Sequence, residues 1–194
     1  MKKILILLVA LMIPVFIFGE NYASLWKKVE TAEEKDLPKT EYEVLQKIVK
    51  KAEKEKAYGH LLKAKLLGAQ VMNEIAPDSL KPEVMRIHQR YEQTDDEILK
   101  TVYQTVLYLI GTHNYSLRLV AKPELTDELC GKLSRVKEDE YVPFVIKGDD
   151  SELFGHDLLS IIGNELDAFD TLYDYYQKAG NRRAACIVAA RLHR

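Results

Sequence analysis

The segment LYDYYQKAGNRRAA, residues 172–185, shows most directly how this chain folds. An aromatic-rich run is followed by Gly180 and Asn181 and then by an alanine-rich run. Glycine and asparagine readily take the left-handed conformation that ends many helices, and small alanine side chains allow two helices to pack closely. The segment therefore predicts two antiparallel helices, from Ala168 to Lys178 and from Arg182 to Leu192.

This pair has the pattern of a tetratricopeptide-type hairpin, in which each hairpin leaves an apolar face that its neighbour covers. The roughly 34-residue repeat of that class cannot be traced through the rest of the chain, so we predict no repeat number. The chain given ends at Arg194, directly after the hairpin. We expect further chain or a binding partner to cover the remaining apolar face.

Apolar residues recur at helical spacing along the preceding chain, with proline, glycine and aspartate between the runs. Four successive helices are predicted, with apolar faces at Tyr22, Leu25, Trp26 and Val29; Tyr42, Leu45, Ile48, Val49 and Ala52; Leu62, Leu66, Ala69 and Met72; and Val84, Ile87 and Tyr91. We expect Pro38 in the first turn of the second helix and the end of the third near Ala76. Asp78 or Ser79 is the expected N-cap of the fourth.

The clearest helical pattern is that of a fifth helix, whose apolar positions are Ile98, Val102, Val106, Leu109 and Ile110. Thr94 to Glu97 have the spacing of a capping box, and Gly111 is expected to end the helix. Further helices are predicted from Thr126 to Val136 and from about Ser151 to Ile162, whereas residues 141–146 could form an extended connector. The predicted fold is all-α, with stacked helical hairpins of tetratricopeptide-like or α-solenoid character. It spans residues 20–194, with a weakly patterned connector at about 137–150.

The N-terminus has the features of a secretory signal peptide. Lys2 and Lys3 precede an apolar run of 15 residues from Ile4 to Phe18, and the small residue Gly19 follows. A membrane-spanning helix needs roughly 20 residues, so residues 1–19 predict a cleaved signal. No cysteine follows the run to accept a lipid. We therefore expect an exported protein of the periplasm or cell envelope that is not a lipoprotein and meets the membrane only before cleavage.

Composition excludes some partners. The 194 residues carry a formal net charge of −2, so no overall positive field attracts nucleic acid. The densest basic stretch comprises Lys47, Lys50, Lys51, Lys54, Lys56, Lys63 and Lys65. Glu53 and Glu55 lie within it, which favours a solvated helix face with local ion pairs over a nucleic-acid surface.

Motifs for catalysis or cofactor binding are absent from the sequence, which contains no GxGxxG, P-loop, GxSxG or HExxH. Glu152, His156 and Asp157 form the best candidate cluster, but two ligands on a helix face do not make a metal site. Acidic residues are equally typical of a helix N-terminus. We predict no enzyme activity, no cofactor and no metal.

Two cysteines and three tyrosines leave alternatives open. Cys130 and Cys186 lie in apolar helical surroundings, where buried thiols and a disulfide are both compatible with an exported protein. Tyr173, Tyr175 and Tyr176 could form an aromatic partner-binding surface. Packing of these rings between hairpins is the competing interpretation, because aromatic residues at helical spacing usually face inward.

Several segments resemble one family of exported proteins. They are SLWKKVE at 24–30, KDLPKT at 35–40, VLQKI at 44–48, HDLLS at 156–160, and LYDYY at 172–176 followed by Gly180 and Asn181. These segments are similar to the N-terminal helical region of the large alpha-2-macroglobulin-like proteins of Bacteroides-type bacteria. In that family the helical region precedes β-sandwich domains, and the DLPKT turn is the most specific part of the likeness.

The resemblance implies a role in protease trapping, which in this family uses a bait segment and, in many members, a Cys-x-Glu-Gln thioester. Cys130 is followed by Gly-Lys-Leu and Cys186 by Ile-Val-Ala, so no thioester residue is implied. We therefore expect a non-catalytic helical scaffold or interaction module, either the N-terminal region or a truncated form of such a protein. Its partners would be a separate protein or downstream domains, with proteases reached through the full-length protein. The alternative is a free-standing periplasmic module that binds a peptide or small ligand.

Overall fold

The structure, a computed structural model, describes residues 20–138 and 156–192. Over these two ranges it is all-α, with nine α-helices, a 3₁₀ turn at Tyr115–Leu117 and no β-strand. The helices are α1 (Tyr22–Glu34), α2 (Pro38–Glu55), α3 (Tyr58–Ile75), α4 (Pro77–Gln93), α5 (Glu97–His113), α6 (Asp127–Leu133), α7 (Leu158–Glu165), α8 (Phe169–Lys178) and α9 (Arg182–Leu192). Neighbouring helices pack around a shared apolar core, which confirms the predicted all-α stack of hairpins.

The first hairpin forms as its sequence predicts. Pro38 occupies the first turn of α2, where its missing N–H costs no helical hydrogen bond. The apolar faces of α1 and α2 meet, and Leu25, Val29, Leu45 and Ile48 are buried there. The 3.6-residue period therefore predicts the buried side of both helices correctly.

Four helix connections share one type of turn. Each contains a single residue of positive φ, namely Asp36, Lys56, Asp167 or Gly180. The next residue donates its backbone N–H to the carbonyl five positions earlier: Leu37 to Ala32, Ala57 to Ala52, Ala168 to Gly163 and Asn181 to Tyr176, at 2.8 to 3.0 Å. This is the hydrogen bond of a Schellman motif, which satisfies a carbonyl at the helix end. Only Gly180 is a residue that commonly signals this turn, and it lies where the sequence predicts a turn.

The prediction that Asp78 or Ser79 caps α4 is wrong. A single residue, Ala76, ends α3 and serves as the N-cap of α4, and Pro77 takes the first helical position. The Ser79 N–H bonds to the Ala76 carbonyl at 2.8 Å, so Ser79 already lies inside the helix. Proline has a preset helical φ and no N–H to satisfy, so α4 begins two or three residues earlier than the polar residues suggest.

Both predicted ends of α5 are displaced, although the helix itself is confirmed. Asp96, not Thr94, is the N-cap, and its carboxylate accepts the N–H groups of Ile98 and Leu99, each at 3.1 Å. Gly111 lies inside the helix. A Cβ there would lie 2.8 Å from the Cα of Arg118, so this glycine permits close approach of the returning chain rather than a C-cap.

The segment after α6 is joined to the start of α7 by backbone hydrogen bonds. The predicted helix from Thr126 to Val136 is shorter in the structure: Thr126 is the N-cap, and α6 runs from Asp127 to Leu133. Lys137 and Asp157 form an isolated antiparallel bridge, and the Leu158 N–H bonds to the Val136 carbonyl at 3.0 Å. These contacts place the start of α7 beside the end of α6.

Several predictions fall on residues outside the described ranges. They concern the signal peptide at 1–19, the extended segment at 141–146, most of the connector at 137–150, and Glu152. The predicted helix from Ser151 to Ile162 is described only from its N-cap Asp157 onward. None of the helices in the described ranges is both long enough and apolar enough to cross a membrane.

Candidate functional site

A concave cleft of about 620 Å³ lies between α3, the start of α4, the end of α5 and the end of α7. Leu66, Leu67, Leu80, Leu109 and Ile110 provide its apolar surface. Its polar lining includes Lys63, Gln70, Asn73, His113, Asn114 and Glu165. This volume lies within the roughly 300–1,000 Å³ that is usual for ligand-binding sites in proteins.

One face of α3 provides half of the cleft. Lys63, Leu66, Leu67, Gln70 and Asn73 are three or four positions apart and therefore lie on the same side of the helix. The two leucines are half-buried, whereas Gln70 and Asn73 are exposed. The opposite face of α3 packs in the core through Leu61, Ala64 and Gly68. The cleft face is thus the side of α3 that the core leaves uncovered.

The end of α5 provides the facing wall. Leu109, Ile110 and His113 follow one another at helical spacing along the cleft. Nδ1 of His113 lies 2.9 Å from the Leu109 carbonyl, and this contact orients the exposed ring. The cleft therefore has apolar residues at its base and polar groups that solvent reaches.

Lys63 and Glu165 bring opposite charges to one end of the cleft. Both side chains are half-buried. Burial raises the pKa of the Glu165 carboxyl, the charge of Lys63 lowers it, and the charge of Asp167 raises it further. Across the described part of the chain, neither Lys63 nor Glu165 forms a hydrogen bond or an ion pair within 4.0 Å. Two half-buried charges without such a contact are available to a ligand.

The three tyrosines predicted as a partner surface lie in different surroundings. Tyr176 is 1% exposed, and its hydroxyl donates to the two carboxylate oxygens of Asp157 at 2.8 and 3.0 Å. It is a core residue and offers no surface to a partner. Tyr175 is half-buried with its hydroxyl 2.9 Å from Ser134 Oγ, and the Tyr173 hydroxyl accepts from Gln177 at 2.6 Å. Partner binding by Tyr173 and Tyr175 stays a prediction, and neither lines the cleft.

Asp157 belongs to the candidate cluster with Glu152 and His156, and in the structure it has a structural role at the start of α7. Asp157 is 2% exposed and caps α7 by accepting the Ser160 N–H at 2.8 Å, in addition to its bonds with Tyr176. Residues 20–138 and 156–192 contain no group of three histidine, cysteine, aspartate or glutamate side chains placed to hold a metal ion. The sequence signal at Asp157 is therefore that of a helix cap.

Both cysteines are free, so the structure does not contain the disulfide that the sequence allowed. Cys130 is buried as expected, and burial raises the pKa of its thiol to about 11. Such a thiol is a poor nucleophile at neutral pH because little thiolate is present. Cys186 is exposed on α9, so the prediction that it is buried is wrong. The apolar face of α9 uses Ala184, Ala185 and Val188 instead.

One lysine of the basic run is buried, contrary to the predicted solvated face. Lys65 is 6% exposed and lies 3.9 Å from a carboxylate oxygen of Glu53 and of Glu83. Arg90 contacts Glu53 and Arg86 contacts Glu83, each at 2.6 Å. Burial lowers the pKa of Lys65, and the two carboxylates raise it. The sequence does contain a signal for this burial, because Lys65 lies on the same face of α3 as the buried residues Leu61 and Leu62.

Comparison with known proteins identifies no relative: no protein-family model matches the chain, and no curated protein or solved structure is significantly similar to it.

Proposed function

We propose that this protein is a non-catalytic helical interaction module and that it binds its partner in the cleft between α3, α4, α5 and α7. The observation that carries the proposal is a cleft of about 620 Å³ that combines leucine side chains with Lys63 and Glu165. These two half-buried charges influence each other but form no hydrogen bond or ion pair within 4.0 Å in the described part of the chain. Sites of this size with an apolar surface and a few converging polar groups are typical of ligand binding.

Hydrogen bonding in the rest of the described molecule differs from that in the cleft, and this difference supports a binding role for the cleft. Buried polar side chains elsewhere are satisfied, as in the bonds between Tyr176 and Asp157 and between Trp26 and His60. No fully buried side-chain nitrogen or oxygen of the described residues lacks a hydrogen-bond partner. In the cleft, by contrast, the Gln70 and Asn73 side chains form no hydrogen bond within the described part of the chain.

The proposal includes export and a relationship to the alpha-2-macroglobulin-like proteins. It rests on residues 1–19, on the DLPKT turn at 36–40 and on the other segments that resemble the family. In this version the chain is the N-terminal region, or a truncated form, of a protease-trapping protein, and the cleft receives a downstream domain or a separate protein. The alternative is a free-standing periplasmic module that binds a peptide or small ligand, which the size of the cleft also supports.

The mass of the native product distinguishes these two versions. An antibody against the hairpin of α1 and α2 can be applied to envelope fractions of the cells that make the protein. A band far larger than residues 20–194 supports the macroglobulin-like version. A band near that size supports the free-standing module, and a signal confined to the cytoplasm contradicts export.

A surface variant tests the cleft itself. Gln70→Arg places a long charged side chain in the cleft at an exposed position, so the core is not disturbed. Gln89→Arg makes the same change at an exposed position on α4 that does not line the cleft. After cross-linking in native envelope extract, we expect wild type and Gln89→Arg to retain the same partner and Gln70→Arg to lose it. Equal retention by all three proteins would contradict binding in the cleft.

A further inference from the structure

We propose that the occupant of the cleft is an extended, uncharged peptide segment with apolar side chains, held through its backbone by Lys63, Gln70, Asn73 and Glu165. This inference rests on the proposed function and adds the chemical class of the partner. The reasons are the length of the cleft, its hydrogen-bonding groups and its balance of charge.

The length of the cleft along α3 suits a short peptide. Lys63 and Asn73 are ten residues apart on one helix, which corresponds to about 15 Å. An extended strand rises about 3.3 Å per residue, so four or five residues of peptide span this distance. Alternate side chains of such a strand point in one direction and can contact the leucines at the base of the cleft.

The hydrogen-bonding groups match a peptide backbone. Each peptide unit carries one N–H donor and one carbonyl acceptor, and both need partners when they are buried. The amides of Gln70 and Asn73 each offer a donor and an acceptor, Lys63 offers donors, and Glu165 offers acceptors. In the described part of the chain, the Gln70 and Asn73 side chains form no hydrogen bond of their own. These side chains can therefore form hydrogen bonds with a peptide backbone, whereas a purely apolar ligand would leave them without partners.

The charge of the cleft favours an uncharged occupant. Lys63 and Glu165 provide one positive and one negative group that interact with each other, and His113 also lines the cleft. An anionic ligand group would approach Glu165, and a cationic one would approach Lys63, at half-buried positions where solvent screening is reduced. A neutral peptide unit accepts from Lys63 and donates to Glu165 without either conflict. A fatty acid suits the cleft less well, because repulsion between its carboxylate and Glu165 would oppose the attraction of Lys63.

A display selection tests the inference on the purified chain. Random seven-residue peptides are selected against immobilised protein, and one enriched sequence is synthesised with an acetylated N-terminus and an amidated C-terminus. We expect enriched peptides to be poor in Asp, Glu, Lys and Arg and to carry apolar residues at alternate positions. The double variant Gln70→Ala with Asn73→Ala should weaken binding about tenfold, since it removes two hydrogen-bonding side chains. Gln89→Ala is the matched control and should leave affinity within about twofold.

A second probe isolates the backbone contribution. The same peptide with N-methyl groups on alternate peptide bonds keeps its side chains but loses N–H donors. We expect it to bind at least about tenfold more weakly. Unchanged binding would overturn the inference, as would enrichment of charged sequences.

The controls separate this inference from the proposed function. If Gln70→Arg abolishes binding of charged peptides or of octanoate, the cleft is a binding site and only the proposed occupant is wrong. If neither the peptides nor octanoate binds, or if peptide binding does not depend on Gln70, the inference about the occupant fails. The proposed function fails only if Gln70→Arg also retains the partner from envelope extract as well as wild type does.

Discussion

The carboxylate of Glu138 accepts a hydrogen bond from the backbone N–H of Gly59 at 3.0 Å, although the two residues are 79 positions apart. Gly59 lies in the first turn of α3, whose N-cap Ala57 has no side-chain acceptor. Glu138 thus caps α3 from the segment after α6, and it is only 5% exposed. Burial raises the pKa of Glu138 to about 7, and the hydrogen bond from Gly59 partly opposes this.

Glu138 should make the stability of the protein depend on pH. Unfolded protein loses this proton near pH 4.5 and folded protein near pH 7, so the folded state binds more protons between these values. The contribution of Glu138 to the free energy of unfolding therefore falls as pH rises through this window, by up to about 3 kcal/mol. Glu138→Gln keeps an acceptor for Gly59 without the charge and should remove this contribution. Urea unfolding at pH 5 and pH 8 measures it. Glu124→Gln, at an exposed position, is the control, and equal pH slopes for Glu138→Gln and wild type would contradict the assignment.

The contact between Trp26 and His60 should make the protein less stable as pH falls, which is the opposite pH dependence to that of Glu138. Nε1 of Trp26 donates to Nδ1 of His60 at 2.8 Å, and burial lowers the pKa of His60 to about 4. Unfolded imidazole takes up a proton near pH 6.5, so the contribution of His60 to stability is lost as pH falls from about 6.5 to 4. Trp26 is the single tryptophan of the chain, and its indole N–H resonance reports this contact. We expect an unchanged resonance from pH 8 to 5 and a shift on further acidification. A His60 titration centred near pH 6.5 in the folded protein would refute the prediction.

Replacement by alanine should destabilise the protein at Gly111 and stabilise it at Gly68. A Cβ at Gly111 would lie 2.8 Å from the Arg118 Cα, so the backbone has to move and Gly111→Ala should cost about 1–3 kcal/mol. At Gly68 the nearest atom is at 3.8 Å, which is an ordinary contact. Gly68→Ala should instead raise the free energy of unfolding by about 0.5–1 kcal/mol through helix propensity. Thermal and urea unfolding of both variants checks the pair, and destabilisation of similar size in both would show that the space around Gly111 is not the cause.

Replacing the buried Lys65 by methionine should not destabilise the fold. The charge of Lys65 is desolvated, and each carboxylate beside it is also paired with an arginine at 2.6 Å. Lys65→Met removes the buried charge and keeps the apolar side-chain volume, so we expect a free energy of unfolding that is unchanged or about 1–2 kcal/mol higher. Urea unfolding provides the measurement. Lys65→Ala is the comparison and should be less stable than Lys65→Met because it leaves a cavity. A loss of more than about 3 kcal/mol in Lys65→Met would show instead that the ammonium group stabilises the fold.

The sequence predicts helices well where the helical period is strong. The predicted apolar faces of α1 and α2 are mainly buried, and α9 spans the predicted residues Arg182–Leu192. The predicted face of α3 is buried only in part, because Leu66 and Met72 are half-buried and Leu66 lines the cleft. The predicted ends are less accurate, at Thr94, Gly111 and Asp78, because several polar or small residues near a helix end can satisfy the same backbone groups. Which of them does so depends on contacts such as that of Gly111 with Arg118.

The cleft could not be predicted, although part of it is visible in the sequence. The spacing of Lys63, Leu66, Gln70 and Asn73 places them on one face of a helix. It does not show that this face stays uncovered or that Glu165, about a hundred positions later, lies opposite Lys63. Tyr176 is a similar case, because it is buried in contact with Asp157 at the start of another helix, which the spacing within α8 does not specify.

The sequence alone therefore determined the all-α class, the buried faces of α1 and α2 and the Gly180 turn, because helical periodicity and turn preference are local properties. Only the tertiary structure decided that Glu138 caps α3, that Lys65 is buried between two carboxylates, and that Lys63 and Glu165 share a cleft. These features join residues that are distant along the chain. Their positions follow from how the hairpins pack, which the spacing of residues within one helix does not specify.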